Sequence, residues 1–249
     1  MRELGRLIFV LDRLSFLQSQ GITESSINGT PEDRRRSLRE GLTAVESQGD
    51  PLDLLRNVCG VSPEALRGSS PQHGTMALLG AFAGLRFGEV AALRRPSFDI
   101  TSDAPIVHVR DALTEVSGVV SIGPPKTASS MRAVPIVGAP AARIYETVAA
   151  AEDDDLLFRS PNGGPISPTR WRARVWRRAV SFLEMKPSPT FHDLRHTYAA
   201  FLIEDGRHPK ENQELMGHAS IRTSLDVYGH LMEGVTHDRL AGLAARFGA

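Results

Sequence analysis

Leu4, Leu7, Ile8, Leu11, Leu14 and Leu17 recur at three- and four-residue steps, so residues 4–17 are predicted to form an amphipathic helix. A second helix is predicted to start at Thr30, an N-cap residue followed by Pro31 at the first helical position and Asp33 in the first turn. Leu38, Leu42 and Val45 form its apolar stripe, and a short third helix is expected from Asp50-Pro51. Residues 60–71, rich in Gly, Ser and Pro, read as a linker. The stretch TMALLGAFA, 75–83, is apolar on every side and predicts a buried helix ending near Gly84, with Gly88 and Glu89 opening the next. Between 105 and 137 the periodicity changes. PIVHVRDAL, VVSIGPP and RAVPIVG are β-branched runs separated by Gly, Pro and Ser, which predicts a small antiparallel sheet of three strands. Helical spacing returns after Pro140, at about 141–151, 169–184, 191–205, 209–217 and 220–231, with an amphipathic piece near 236–247. The expected fold class is therefore mainly α with a small three-stranded antiparallel sheet (α+β). A short helical region over residues 1–70 is expected to precede a larger unit over 71–249.

Composition narrows the function classes. The 249 residues contain one cysteine, Cys59, which excludes an intramolecular disulfide and a cysteine-rich zinc site and fits a reducing compartment. There is no run of about 18 apolar residues for a membrane span. The first twenty residues lack the pattern of a secretory signal, so a cytoplasmic protein is expected. Net charge is zero, with 29 basic and 29 acidic residues, so an anionic partner must be met by local clusters rather than by a uniformly basic surface. The basic residues are 26 Arg and only Lys126, Lys186 and Lys210; genomic codon bias accounts for much of this, but it makes each Lys conspicuous. The chain has no phosphate-binding loop ending in Gly-Lys-Ser/Thr, no dinucleotide fingerprint and no His-Glu-x-x-His. His192 and His196 have the spacing of a zinc pair, but Arg195 between them opposes a cation, and no metal or other cofactor is expected.

Five segments carry candidate chemistry, each with a plainer alternative. In GLRFGEVAAL, Arg86 stands at a break between apolar helices and needs a partner, with Glu89 close enough to hold it; the pair could equally tie two helices together. Lys126, in GPPKTASSMRAVPI, lies on a tight turn of the sheet and could be an ordinary hairpin tip. In FHDLRHTYAAFLIEDG, His192 and Arg195 share one face near a helix start, a place suited to a phosphate, while Ala199, Leu202 and Ile203 face a core and Tyr198 is read as a packing residue. His218 follows Gly217 at a helix end, where a cap is the plain reading, and Tyr228 stands near the end of a short helix, where core or rim is the plain reading. A further basic surface is expected over 156–183. Arg170, Arg172, Arg174, Arg177 and Arg178 stand there with no Asp or Glu and with Trp171 and Trp176 interleaved, either as phosphate contacts or as a solvated helix face.

Taken in order, Arg86, Lys126, His192-x-x-Arg195, His218 and Tyr228 resemble the constellation of the tyrosine recombinases, the phage-integrase family of site-specific DNA recombinases. The likeness runs from 76 to 232, and HDLRHTYA with LMGHASIRTSLDVYGHL resembles the family's C-terminal boxes. The resemblance implies the catalytic-core fold of DNA breaking-rejoining enzymes. Tyr228 would be the nucleophile, Arg86 and Arg195 would clamp the phosphate, and Lys126 would protonate the leaving oxygen. His192 would exchange a proton with Tyr228, and His218 would assist. It also implies double-stranded DNA as partner, a homotetramer on paired recombination sites, no membrane, and a place at the nucleoid.

The chain departs from the integrase pattern at its N-terminus. Residues 1–70 carry 9 basic and 10 acidic residues, a poor balance for facing DNA, where a complete core-binding domain is usual. Two other readings therefore stand beside recombination: a truncated, prophage-type integrase remnant that binds DNA without recombining it, and a type IB topoisomerase.

Overall fold

The computed structural model describes residues 52–59, 61–68, 70–100, 104–125, 127–151, 155–181 and 188–220. The expected helices at 4–17, from Thr30, at 220–231 and at 236–247 lie outside the described residues, as do Lys126 and Tyr228.

Helix α1, Asp53–Cys59, and helix α2, Pro63–Arg67, come first. The stretch read as a linker thus contains a helix, begun by Ser62, whose hydroxyl accepts from the Ala65 N–H, and by Pro63 at the first turn. Leu52, Leu55, Cys59, Val61 and Leu66 are buried in the same core as Met76, Leu79, Leu194 and Ile203 further along the chain. Helix α3, Pro71–Phe82, is buried from His73 through Ala81, as its all-round apolarity predicts. Helix α4, Phe87–Ala91, follows after Gly84 turns the chain in the left-handed region at φ +62°. A side chain there would also collide with the Tyr198 ring, 2.4 Å from where its Cβ would stand.

The strands are β1 Phe98–Asp99, β2 Ile106–Val109, β3 Ala112–Val116, β4 Val119–Gly123 and β5 Arg132–Pro135. A three-stranded antiparallel sheet does form, but in the order β1–β2–β5. The run VVSIG, expected to be one of its three strands, instead pairs with β3 in a separate hairpin, Val116 opposite Val119. Ser117 and Gly118, at φ 50° and 80°, make the tight turn that closes this hairpin. It packs through Leu113 on Ala91 and Ala92 at the end of α4.

Helix α5, Ala139–Ala149, leads to a longer helical stretch made of α6, Pro168–Trp171, a π-turn over Arg172–Trp176, and α7, Arg177–Ala179. Helices α8, Phe191–Glu204, and α9, Pro209–Met216, complete the described fold. Helix α8 packs along α3, with Leu194, Ala199, Leu202 and Ile203 buried between them and the remaining core.

Candidate active site

Arg86 occupies the position before the first turn of α4, in extended conformation. Its backbone N–H donates to Glu89 Oε2 at 2.8 Å and its Nη1 donates to Glu89 Oε1 at 2.8 Å. Glu89 therefore closes the helix start and holds the arginine at once. The two side chains differ sharply in environment: Arg86 is 38% exposed, Glu89 only 3%. Burial by itself would push the Glu89 carboxyl up, but the hydrogen bonds and charge of Arg132, then those of Arg86, hold it below the usual carboxylate range.

Helix α8 begins at Thr190, whose N–H and hydroxyl donate to Asp193 Oδ2 at 2.6 and 2.8 Å. This cap fixes the turn that carries His192 and Arg195. Arg195 is 1% exposed and heads the fully buried side chains of the described residues. Its Nη1 donates to the Gly84 carbonyl and its Nη2 to the Met216 carbonyl. The turn before Arg86 and the end of α9 are thus tied to one guanidinium.

Helix α9 ends on Gly217, left-handed at φ +59°, and the His218 N–H donates to the Gln213 carbonyl at 3.0 Å. That cap points the chain so that His218 falls beside Arg195, Arg86, Arg132 and His192. Burial first, and then these neighbours, push the His218 imidazole down to about 4. The exposed His192 is also pushed down to about 4, by the protein mass around it, then His196, Arg195 and Arg86, against the opposing Asp193. The His196 ring meets the His192 ring edge-on, 5.1 Å between centroids. At neutral pH both imidazoles are uncharged, able to accept a proton. Tyr198, by contrast, is buried and pushed up to about 12 by that burial, as suits a packing residue.

Arg86, His192, Arg195 and His218 are thus brought together from the start of α4, the first turns of α8 and the end of α9. One residue of this cluster escaped the sequence reading: Arg132, on β5. It grips Glu89 with two nitrogens, Nη1 at 3.1 Å and Nη2 at 3.0 Å, and donates from Nε to the Leu215 carbonyl at 2.8 Å. The signal for it was a charged residue inside a β-branched run expected to be half-buried, since such a charge demands a partner.

The Arg-rich stretch lies close by. Arg170, Arg172, Arg174, Arg177 and Arg178 are exposed, and among the described residues none of them is in an ion pair. Trp171 and Trp176 stack beneath them at 5.7 Å and meet Phe191; Trp171 also meets Phe87. Phe87 follows Arg86 and Phe191 precedes His192, so one aromatic cluster sets the arginine stretch and the site against each other. Among the described residues no three His, Cys, Asp or Glu side chains are grouped to hold a metal, and no described helix is long and apolar enough to cross a membrane.

Residues 68–234, about two thirds of the chain, match the model of the phage integrase family. A tyrosine recombinase XerC of Methylobacterium sp. (strain 4-46) is 34% identical over 150 residues, which are 57% of this chain and 40% of that protein. The ICEBs1 integrase of Bacillus subtilis (strain 168) is 30% identical over 157 residues, 59% of this chain and 42% of that one. The chain therefore matches less than half the length of these relatives. Among solved structures, the Tn1549 transposon integrase in complex with circular intermediate DNA aligns over 94% of this chain and 86% of its own, with a TM-score of 0.59 and 21% identity. The XerA recombinase aligns over 96% of this chain and 98% of its own, with a TM-score of 0.50 and 16% identity. These likenesses show a shared α+β fold.

Proposed function

We propose, for a chain that belongs to the phage integrase family, that it is a site-specific recombinase cutting and rejoining double-stranded DNA through a 3′-phosphotyrosyl intermediate. The observation that carries the reading is the gathering of Arg86, Arg195 and two uncharged imidazoles, His192 and His218, around one locus. A phosphodiester is anionic and resists attack, and guanidiniums aimed at its non-bridging oxygens stabilise the further charge of the transition state. A tyrosine hydroxyl, with an ordinary pKa of about 10, needs a base, and an uncharged imidazole is one.

In this reading Tyr228 Oη attacks the phosphorus and the bond to the 5′ oxygen breaks. Lys126 protonates that oxygen, which leaves as a 5′-hydroxyl, while His192 takes the tyrosine proton and His218 bonds the phosphate. The phosphotyrosyl link conserves the energy of the broken ester, so the 5′-hydroxyl of a second strand reverses the step with no nucleotide or metal. Residues 71–249 form the catalytic part, Arg170, Arg172, Arg174, Arg177 and Arg178 contact DNA phosphates, and four copies act on paired sites. Residues 235–249, outside the described residues, dock on a neighbouring copy.

The test is covalent capture on a nicked duplex, which loses its leaving strand and traps the adduct. The duplex is first selected from a randomised pool by the wild-type chain. Adduct should form with wild type and with Tyr198→Phe, and none with Tyr228→Phe, which removes one oxygen and leaves DNA binding intact. An adduct that persists in Tyr228→Phe and vanishes in Tyr198→Phe would name the wrong nucleophile. Binding without any adduct would favour the remnant.

A further inference from the structure

Resting on the recombinase reading above, we propose that Arg132 is a positioning residue of the site: it neutralises Glu89 and thereby leaves the Arg86 guanidinium available to a phosphate oxygen. Glu89 lies between two arginines of opposite character. The Arg132 side chain is 5% exposed and turns all three of its nitrogens inward. Besides its two bonds to the Glu89 oxygens, Nη1 donates to the Ser130 carbonyl at 3.2 Å, Nη2 reaches the Gly84 carbonyl at 3.5 Å and Nε serves the Leu215 carbonyl. Arg86 is 38% exposed and meets Glu89 through Nη1. A fork that grips both carboxylate oxygens satisfies the buried charge in place, so the exposed arginine keeps donors for an incoming anion.

Without Arg132 the balance changes. The charged groups that act on the Glu89 carboxylate are Arg132 from β5 and Arg86 from α4, and those two arginines, with Arg195 and His192, also act on His218. Of these, Arg132 and Arg86 hydrogen-bond the carboxylate. A buried carboxylate that loses one partner takes the other more completely, because an unpaired buried charge is costly. Arg86 would then be drawn off the phosphate. The same guanidinium also touches the turn that presents His218: a Cβ on Gly217 would stand 3.0 Å from both Arg132 Cδ and Nη1. Arg132 thus joins the Arg86 half of the site to the His218 half.

The experiment titrates inorganic phosphate into the full chain by calorimetry at constant ionic strength, with circular dichroism as the folding control. Arg86→Gln and Arg132→Gln should each weaken phosphate binding about ten-fold, the scale of one charged hydrogen bond. Arg132→Lys keeps the charge but not the two-nitrogen grip, and should bind between wild type and Arg132→Gln. The double variant Arg132→Gln/Glu89→Gln should return to within about three-fold as well, because no carboxylate is left to occupy Arg86. A brace with no other role gives the opposite result: the double variant binds as weakly as the single one while still folded, and the proposal falls. It falls too if Arg132→Gln binds like wild type while Arg86→Gln does not, an outcome that leaves the recombinase reading standing. If wild type shows no phosphate binding that Arg86→Gln removes, both fall together. Should Arg132→Gln fail to fold, the double variant decides: binding near wild type supports the role, and its loss in a folded protein overturns it.

Discussion

Arg86 and Arg195 look interchangeable in a sequence motif, yet they stand in opposite environments. Arg195 is buried with two backbone carbonyls on its nitrogens, so it braces the fold as well as facing the site. Arg195→Lys should therefore lower both covalent capture and stability, by about 3–5 kcal/mol in a urea melt, because a buried charge loses its partners. Arg86→Gln, at a half-open ion pair, should abolish capture and cost at most about 1 kcal/mol of stability. Equal stability losses for the two would contradict this division. Gly217→Ala should cost about 1–3 kcal/mol, since alanine at φ +59° is strained and its methyl meets Arg132. The imidazoles set a pH dependence. His192 and His218 are both pushed from 6.5 to about 4 in the folded chain. Between those values the unfolded chain binds protons that the folded chain does not. Stability that is full above about pH 6.5 should fall as pH drops toward 4, with burial of His73 adding the same sign. Thermal melts across this window test it, and His192→Gln/His218→Gln should flatten the slope.

At the scale of elements, the π-turn at Arg172–Trp176 decides what its helix can do. In an α-helix, residues five apart point about 140° away from each other, so Trp171 and Trp176 could not both be buried on one face. N–H groups that donate to the carbonyl five residues back, as Arg177 does to Arg172, bring the two indoles together at 5.7 Å, and Trp176 Nε1 donates to the Pro189 carbonyl at 2.8 Å. The arginines between and beyond them are left fanned over the outer surface. Changing Arg172, Arg174 and Arg178 to Gln should leave the melting temperature nearly unchanged. It should flatten the salt dependence of DNA binding by about 0.9 for each phosphate that is no longer neutralised. A slope identical to wild type would return these arginines to the role of a solvated face. Deleting Ala173 should turn the π-turn into regular α-helix with the indoles four apart and still stacked. Stability would hold while DNA affinity falls, because the arginines change register.

For the whole molecule, what matters is that α4, β5, α8 and the end of α9 deliver their side chains to one place from positions 86, 132, 192–195 and 218. The hydrophobic core beneath α3 and α8 holds that arrangement. Leu79→Ala, in a fully buried position, should cost about 2–5 kcal/mol and reduce capture only through the folded fraction. Assembly is a separate matter. Removing residues 235–249 should impair synapsis of two sites more than cleavage of one, as read by paired-site capture against single-site capture. Equal loss of both would count against docking by that segment.

Local rules were legible in the sequence wherever the physics is local. Helices α3, α5, α8 and α9 follow from apolar spacing, caps and prolines within a few residues of their bounds. The cap of α2 was also legible, in Ser62-Pro63, but the surrounding Gly, Ser and Pro masked it as linker. The grouping of Arg86, His192, Arg195 and His218 could be anticipated because their order and spacing resemble a family whose chemistry needs them together. Strand partnership could not. β-branched runs say that a strand forms and nothing about which neighbour it pairs, so VVSIG went to a hairpin with β3 and the two-residue strand Phe98–Asp99 took a place in the sheet. Nor could the burial of Arg195, or the role of Arg132, whose partners lie 43 and 83 residues away at Glu89 and Leu215. Pairing of that kind is set by how packed elements cross in space, and only the tertiary structure decides it, because a buried charge is tolerated solely where the fold brings its counter-charge and carbonyls to it.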